Sequence, residues 1–225
     1  MQESTSKEKI LKAVRDALVN PASPPCVDED YVNKIYHKHE TPYDEVIFAE
    51  ALAKVGGQFV YNSNTEEFAA NLKEFMAAAG INCLHCYDPI LQQILNDKGI
   101  FCFNARDDFH ECEIGVTGCE YLIARTGSVM VSSRQQSGRK SFFWPPLHIV
   151  IAWRDQLVYD IRDAIKELNR KYFEAGMPSM VTLITGPSRT ADIEKTLVMG
   201  AHGPAKLIVF FIDEPSGINL ELSGD

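Results

Sequence analysis

The sequence predicts an α/β fold: a mostly parallel open sheet with helices on both faces, joined to an N-terminal helical arm. Leu207-Ile-Val-Phe-Phe-Ile212 is apolar at every position, the pattern of a strand buried on both faces of a sheet. From about residue 43 onward, helical and strand periods alternate along the chain, which favours parallel pairing through helical crossovers. The 225 residues, 45% hydrophobic and 24% charged, have the composition of a globular domain that folds without a disulfide or structural metal.

Each element has its own signal. Thr5-Ser-Lys-Glu8 is a capping box, and Ile10, Leu11, Val14, Ala17 and Leu18 follow at helical spacing, which predicts a helix near 6–19. Asn20-Pro-Ala-Ser-Pro-Pro25 cannot continue it and reads as a linker. We therefore divide the chain into a helix and linker over 1–42 and an α/β domain over 43–225. A helix near 43–55 stops at Gly56-Gly57, and a strand follows at 58–61. Asn64 caps the next helix with Glu67 as reciprocal partner; Phe68, Leu72, Phe75, Met76 and Ala79 form its apolar stripe, and Gly80 ends it. Strands near 82–86 and 100–103 flank a short helix over 89–95. Residues 114–132 read as paired short strands, and 149–153 as another strand. Asp155 is expected to open the longest helix, with Leu157, Ile161, Ile165, Leu168 and Tyr172 inward. A strand over 181–185, a helix over 191–199 and the strand at 207–212 then form a closing parallel, right-handed βαβ unit.

The formal charge of −9 argues against nucleic acid or an anionic membrane surface as the main partner. The polar start MQESTSKEKILKAV lacks a signal-peptide core, and no apolar run approaches the roughly 20 residues of a membrane helix. The expected compartment is the cytoplasm, where the six cysteines stay reduced. Cys83-Leu-His-Cys86 has CxxC spacing, yet in a strand residues three apart face opposite ways. Cys102, His110, Cys112 and Cys119 could gather around zinc, but no run resembles a ferredoxin cluster motif and free buried thiols are the better reading, so no metal and no cofactor are expected in this chain.

The chemistry concentrates in Thr182-Leu-Ile-Thr-Gly-Pro-Ser-Arg-Thr-Ala-Asp192, a strand, a Gly-Pro turn and a helix start. Free amides opening a helix, with its dipole, favour a phosphate or carboxylate. Gly186, Ser188, Arg189 and Thr190 are the expected contacts of a small anionic or phosphate-bearing ligand. The plainer reading is a capped helix with Arg189 in solvent. Asp192, Glu194 and His202, the last between two glycines of Gly200-Ala-His-Gly-Pro204, are the candidate catalytic residues.

Ile184-Thr-Gly-Pro-Ser-Arg-Thr-Ala-Asp-Ile-Glu194 and Gly200-Ala-His-Gly-Pro204 resemble the signature of the lactate utilisation protein C family, the LUD domain. Gly115-Val-Thr-Gly118, Ala124-Arg-Thr-Gly-Ser128 and Pro145-Pro-Leu-His-Ile149 add to the resemblance, which covers roughly residues 110–213. It implies a fold like the ribose-phosphate isomerase and CoA-transferase group. It also implies a place beside iron–sulfur partner subunits that oxidise L-lactate to pyruvate. Members usually carry Glu where this chain has Arg125, which replaces an acceptor with a permanent cation.

Thr126, Gly127 and Ser128 are expected near the ligand, with Arg125 beside them; a plain turn between strands is the alternative. Arg139, in the cationic loop Arg134–Lys140, reads either as an anion clamp or as a solvated side chain. His148, at a strand start, reads as a structural histidine. Two further functions stay open: a stand-alone isomerase or transferase acting on a phosphorylated metabolite or thioester, and an assembly subunit. The latter would dock partners, or a second copy of the chain, through the N-terminal helix and the Trp144 region.

Overall fold

The computed structural model describes residues 5–19, 43–103, 113–190 and 198–216. Contacts divide the chain into residues 1–42 and residues 43–225. In the first unit, α1 spans Ser6–Val19, and its capping box forms both ways: Thr5 N–H donates to Glu8 Oε2 at 2.9 Å, and Glu8 N–H to Thr5 Oγ1 at 3.4 Å.

The second unit begins with α2 (Asp44–Lys54), β1 (Gln58–Asn62) and α3 (Thr65–Ala79). Asn64 caps α3 by accepting from Glu67 N–H, and Gly80 ends it in the left-handed conformation, as the sequence predicts. β2 (Leu84–Cys86), α4 (Pro89–Asp97) and β3 (Cys102–Phe103) follow. After them come β4 (Ile114–Thr117), β5 (Tyr121–Ile123), β6 (Ser128–Ser132) and β7 (Leu147–Trp153). β8 (Leu157–Val158), α5 (Ile161–Lys171) and β9 (Val181–Ile184) precede the short β10 (Arg189–Thr190) and β11 (Val198–Met199). β12 (Lys206–Ile212) is the last strand described.

Six strands form a sheet in the order β1-β12-β7-β4-β2-β3, with every pair parallel. The period-two alternation of β7 and β12 divides their side chains between two cores. Ile149, Ile151, Trp153, Ile208, Phe210 and Ile212 meet the apolar stripes of α3 and α4, where Phe68 and Phe210 stack edge to face at 5.8 Å. Val150, Ala152, Leu207, Val209 and Phe211 pack on the opposite side against Phe48 and Leu52 of α2 and against a second sheet, β8-β5-β6-β9. α5 covers the far side of that second sheet through Ala164 and Leu168, on Ile123 and Met130. Each fully buried side chain of Leu or Phe size contributes about 1.5–3 kcal/mol. Helices thus lie on both faces of a parallel sheet, as the apolar β12 predicts. Among the described residues, no helix is long and apolar enough to cross a membrane.

Three expectations are corrected. Asp155 does not open a helix: Arg154–Gln156 is a single 3-10 turn, Leu157–Val158 pairs with β5, and Asp160 caps α5 by accepting from Arg162 N–H. Leu157 is therefore a strand residue, and Ile165 faces solvent. The closing βαβ unit does not form, because β9 pairs antiparallel with β6 in the second sheet while β12 enters the first. Arg189–Thr190 and Val198–Met199 are two strands of an antiparallel ribbon, so the expected helix end at 198–199 is extended chain; residues 191–197 lie outside the described residues.

Candidate functional site

Gly115 shapes the first wall of the site. A Cβ there would lie 2.6 Å from both Pro145 Cγ and the Ser141 carbonyl, so a bare glycine lets the 139–146 segment lie directly on β4. That segment delivers Phe142 and Phe143 to a cavity of about 230 Å3. The second residues of β7 and β12, His148 and Leu207, form its floor, and Thr182–Thr185 forms the side.

The Gly-Pro-Ser turn closes the cavity together with His202-Gly-Pro204. Ser188 N–H donates to Pro204 O at 2.8 Å, and Ser188 O accepts from Gly200 N–H at 2.9 Å, so backbone bonds tie the two segments. Gly203 leaves room for the serine: a Cβ on it would lie 3.3 Å from Ser188 Cβ. His202, exposed, stands at the edge of the same cavity.

His148 is fully buried, and its Nε2 lies 2.8 Å from Thr117 Oγ1, while Nδ1 has no partner among the described residues. Burial pushes its pKa down to about 3, so the ring is neutral at physiological pH. A neutral imidazole offers one donor and one acceptor, and leaving either unmet in the interior costs about 1–3 kcal/mol. A small molecule with an oxygen at Nδ1 recovers that energy. Among the described residues no Lys or Arg lines the cavity, and Phe142, Phe143 and Leu207 give it an apolar side.

The sequence-predicted residues separate into four groups. Gly186, Ser188 and His202 line the cavity. Thr126 and Ser128 stand behind its wall in a chain of hydroxyls: Thr126 Oγ1 to Ser128 Oγ at 2.7 Å, and Ser128 Oγ to Thr185 Oγ1 at 2.8 Å, where Thr185 is a lining residue. Arg189, Thr190, Gly127, Arg125 and Arg139 do not line it. Arg189 donates to the Val55 carbonyl at the end of α2, and the Ser188 amide expected for an anion is already bonded to Pro204. Gly127, at φ +61, makes room for a helix: a Cβ there would meet Leu52 N at 2.3 Å. Gly186, at φ +77, likewise fits close against Val55 O. Arg125 pairs through Nε with Asp160 Oδ2 at 2.5 Å, and Arg139 is exposed on a 3-10 turn. Asp192 and Glu194 lie outside the described residues. His148, read from the sequence as a structural histidine, lines the cavity as well; its signals in the sequence are its place at a strand start and the Pro145–Ile149 segment of the family resemblance.

Residues 46–212 match the family model of the LUD domain. The chain belongs to the LUD domain family. The segments that carry the LUD resemblance are far apart in sequence, yet Thr117, the Thr126–Ser128 turn, His148, Ser188 and His202 all reach this one cavity or the bonds behind its wall. An uncharacterized protein from Neisseria meningitidis is 37% identical over 115 residues, 50% of this chain and 48% of its own length. Lactate utilization protein C of Geobacillus kaustophilus is 34% identical over 44% of this chain and 42% of its own. The protein of that name from Anoxybacillus flavithermus is 29% identical over 68% of this chain and 73% of its own. The chain thus spans about half the length of the first two relatives. A solved DUF162 family protein from Deinococcus radiodurans shares the fold, with a TM-score of 0.53 at 16% identity, over 75% of this chain and 96% of its own.

Proposed function

We propose that this chain serves a lactate-utilisation system and that its cavity holds a short 2-hydroxy or 2-oxo acid such as L-lactate or pyruvate. The names of its relatives supply the system. The observation that carries the site is the unpartnered Nδ1 of a fully buried, neutral His148 beside a cavity of about 230 Å3. In this reading a ligand oxygen meets Nδ1, Ser188 and His202 hold the carboxylate, and the methyl group lies on Phe142 and Leu207. A phosphate dianion fits less well, because among the described residues no Lys or Arg lines this cavity. Electron transfer falls to iron–sulfur partner subunits, as the family resemblance implies, and ligand binding falls to this chain.

Calorimetric titration of L-lactate and pyruvate into the full chain tests the reading. We expect saturable binding of at least one, weakened tenfold or more by Ser188→Ala and by His148→Asn. The reading fails if neither acid binds the unaltered protein, or if both variants bind as tightly as it does.

A further inference from the structure

The sheet itself brings Thr117 to His148. The register partners of His148 are Gly115 on β4 and Leu207 on β12. Gly115 has no side chain and Leu207 no polar atom in its side chain. The nearest polar side chain along β4 on that face is therefore two residues on, at Thr117. The row of Thr117 continues through Val150 and Val209, both buried and apolar.

The threonine hydroxyl decides which way their hydrogen bond runs. Thr117 is fully buried, and among the described residues the one partner of its Oγ1 is His148 Nε2, at 2.8 Å. A hydroxyl has one hydrogen to give and two lone pairs. If Nε2 carried the ring hydrogen, Thr117 would accept it and its own hydrogen would be left among valines, a buried donor unmet. If Thr117 donates, its hydrogen is used and only a spare lone pair stays idle, which costs far less. Nε2 is therefore the acceptor. The buried ring is neutral and holds a single hydrogen, so that hydrogen is on Nδ1, the nitrogen with no partner among the described residues.

We infer that Thr117 sets His148 as a fixed Nδ1–H donor at the cavity, so that the site selects a 2-oxo acid and rejects the matching 2-amino acid. The choice of ligand rests on the short acid already assigned to this cavity, whereas the tautomer stands without it. The carbonyl of a 2-oxo acid accepts directly from Nδ1–H. The ammonium of a 2-amino acid has no lone pair to offer, and among the described residues no Asp or Glu lines the cavity to receive it. The opposite tautomer would reverse this, because a bare Nδ1 lone pair accepts from an ammonium and repels a carbonyl oxygen. A hydroxyl both gives and accepts, so L-lactate suits either tautomer; pyruvate and L-alanine tell the two apart. Thr117 does not line the cavity and acts through the ring, as a positioning residue.

Two measurements on the full-length protein test this. With the histidine nitrogens isotope-labelled and no ligand present, long-range proton–nitrogen correlation reads which ring nitrogen of His148 carries hydrogen; the signals are assigned by their loss in His148→Asn. Hydrogen on Nδ1 and a hydrogen-bonded, bare Nε2 are expected, and hydrogen on Nε2 overturns the inference whatever binds. Thr117→Val, close in shape, removes the donor and moves the Nε2 signal to that of an unbonded nitrogen, while Thr117→Ser keeps the parent's signature. An unchanged Nε2 signal in Thr117→Val overturns the role of Thr117. In calorimetric titration, L-alanine is expected to bind at least tenfold more weakly than pyruvate, a gap that Thr117→Val narrows and Thr117→Ser preserves. A smaller gap in the parent, or binding of L-lactate without pyruvate, overturns the selectivity while a short acid still occupies the cavity. If neither pyruvate nor L-lactate binds, the assigned acid and the selectivity fall together, and the place of the ring hydrogen is still decided by the resonance measurement.

Discussion

His148 Nε2 and Thr117 Oγ1 lie 2.8 Å apart on the adjacent strands β7 and β4, and both residues are 0% exposed. This bond fixes the ring, so that one nitrogen is anchored in the sheet and the other is left for the cavity.

His148 therefore shows a distinctive pH behaviour. Its folded pKa is held at about 3, below the ordinary value of 6.5, because burial disfavours the imidazolium. As pH falls below about 6.5 the unfolded chain takes up a proton that the folded chain refuses, so stability declines from there toward pH 3. The decline from this residue reaches at most about 1.4 kcal/mol per pH unit, and above pH 7 it vanishes. The His148 ring resonances are expected to stay constant between pH 5 and 8. Urea denaturation at pH 6 and pH 4.5 is expected to show a shallower loss in His148→Asn than in the parent. A ring titrating near 6.5 contradicts this.

Gly127 and Gly80 separate conformational cost from steric cost. Both have positive φ, +61 and +68, but a Cβ at Gly80 meets nothing within 4 Å, whereas one at Gly127 lies 2.3 Å from the α2 backbone. Gly80→Ala is expected to lose about 1 kcal/mol, the ordinary penalty of the left-handed cap. Gly127→Ala must also push α2 away from β6, and is expected to lose more than about 3 kcal/mol or fail to accumulate. Comparable denaturation midpoints for the two variants would refute the helix-contact account.

Arg125 pairs with Asp160. The carboxylate is 4% exposed, caps α5 with Oδ1 and pairs with Arg125 through Oδ2. Arg125→Glu sets two carboxylates together and is expected to destabilise by about 2 kcal/mol, more than Arg125→Ala. Asp160→Asn, which keeps an amide oxygen for the cap, is expected to lose less than Asp160→Ala. Equal stability of the Glu and Ala variants at position 125 argues against the pairing.

Lys171→Met strands Glu120 as a buried charge, and a loss of about 3 kcal/mol is expected; Glu120→Gln, which leaves the more exposed partner unpaired, loses less. Burial, with the Glu120 charge and the hydrogen bond from the Tyr172 hydroxyl to Glu120, holds the Tyr172 phenol above its usual range, so Tyr172 is expected to stay protonated in spectrophotometric titration past about pH 10, where an ordinary phenol ionises. Ionisation of Tyr172 at the ordinary phenol value sinks this part.

Local rules made much of the fold legible. The Asn64 cap, the Gly80 stop and the unbroken apolar run of β12 each depend on neighbours a few residues away or on burial itself. The second sheet was harder, since β9 reads as any short strand until β6 is set beside it, and Ser188-Arg-Thr190 offers helix caps that tertiary pairing with 198–199 overrides. Gly127 and Gly186 do signal close approach, but the approaching group is α2 and not a ligand. Glu120 was invisible for a simpler reason: its partners Ser132, Lys171 and Tyr172 lie 12, 51 and 52 residues away.

The place of β12 between β1 and β7 has a consequence for the nascent chain. Gln58 is synthesised early, yet its sheet neighbour Ile208 leaves the ribosome 150 residues later. At bacterial elongation rates that interval is on the order of 10–30 s. During it, β1 lacks the strand with which it pairs. Removing the last strand would open the centre of the sheet and not its margin, so shortening from the C-terminal side past residue 206 should turn this protein into a client for chaperones.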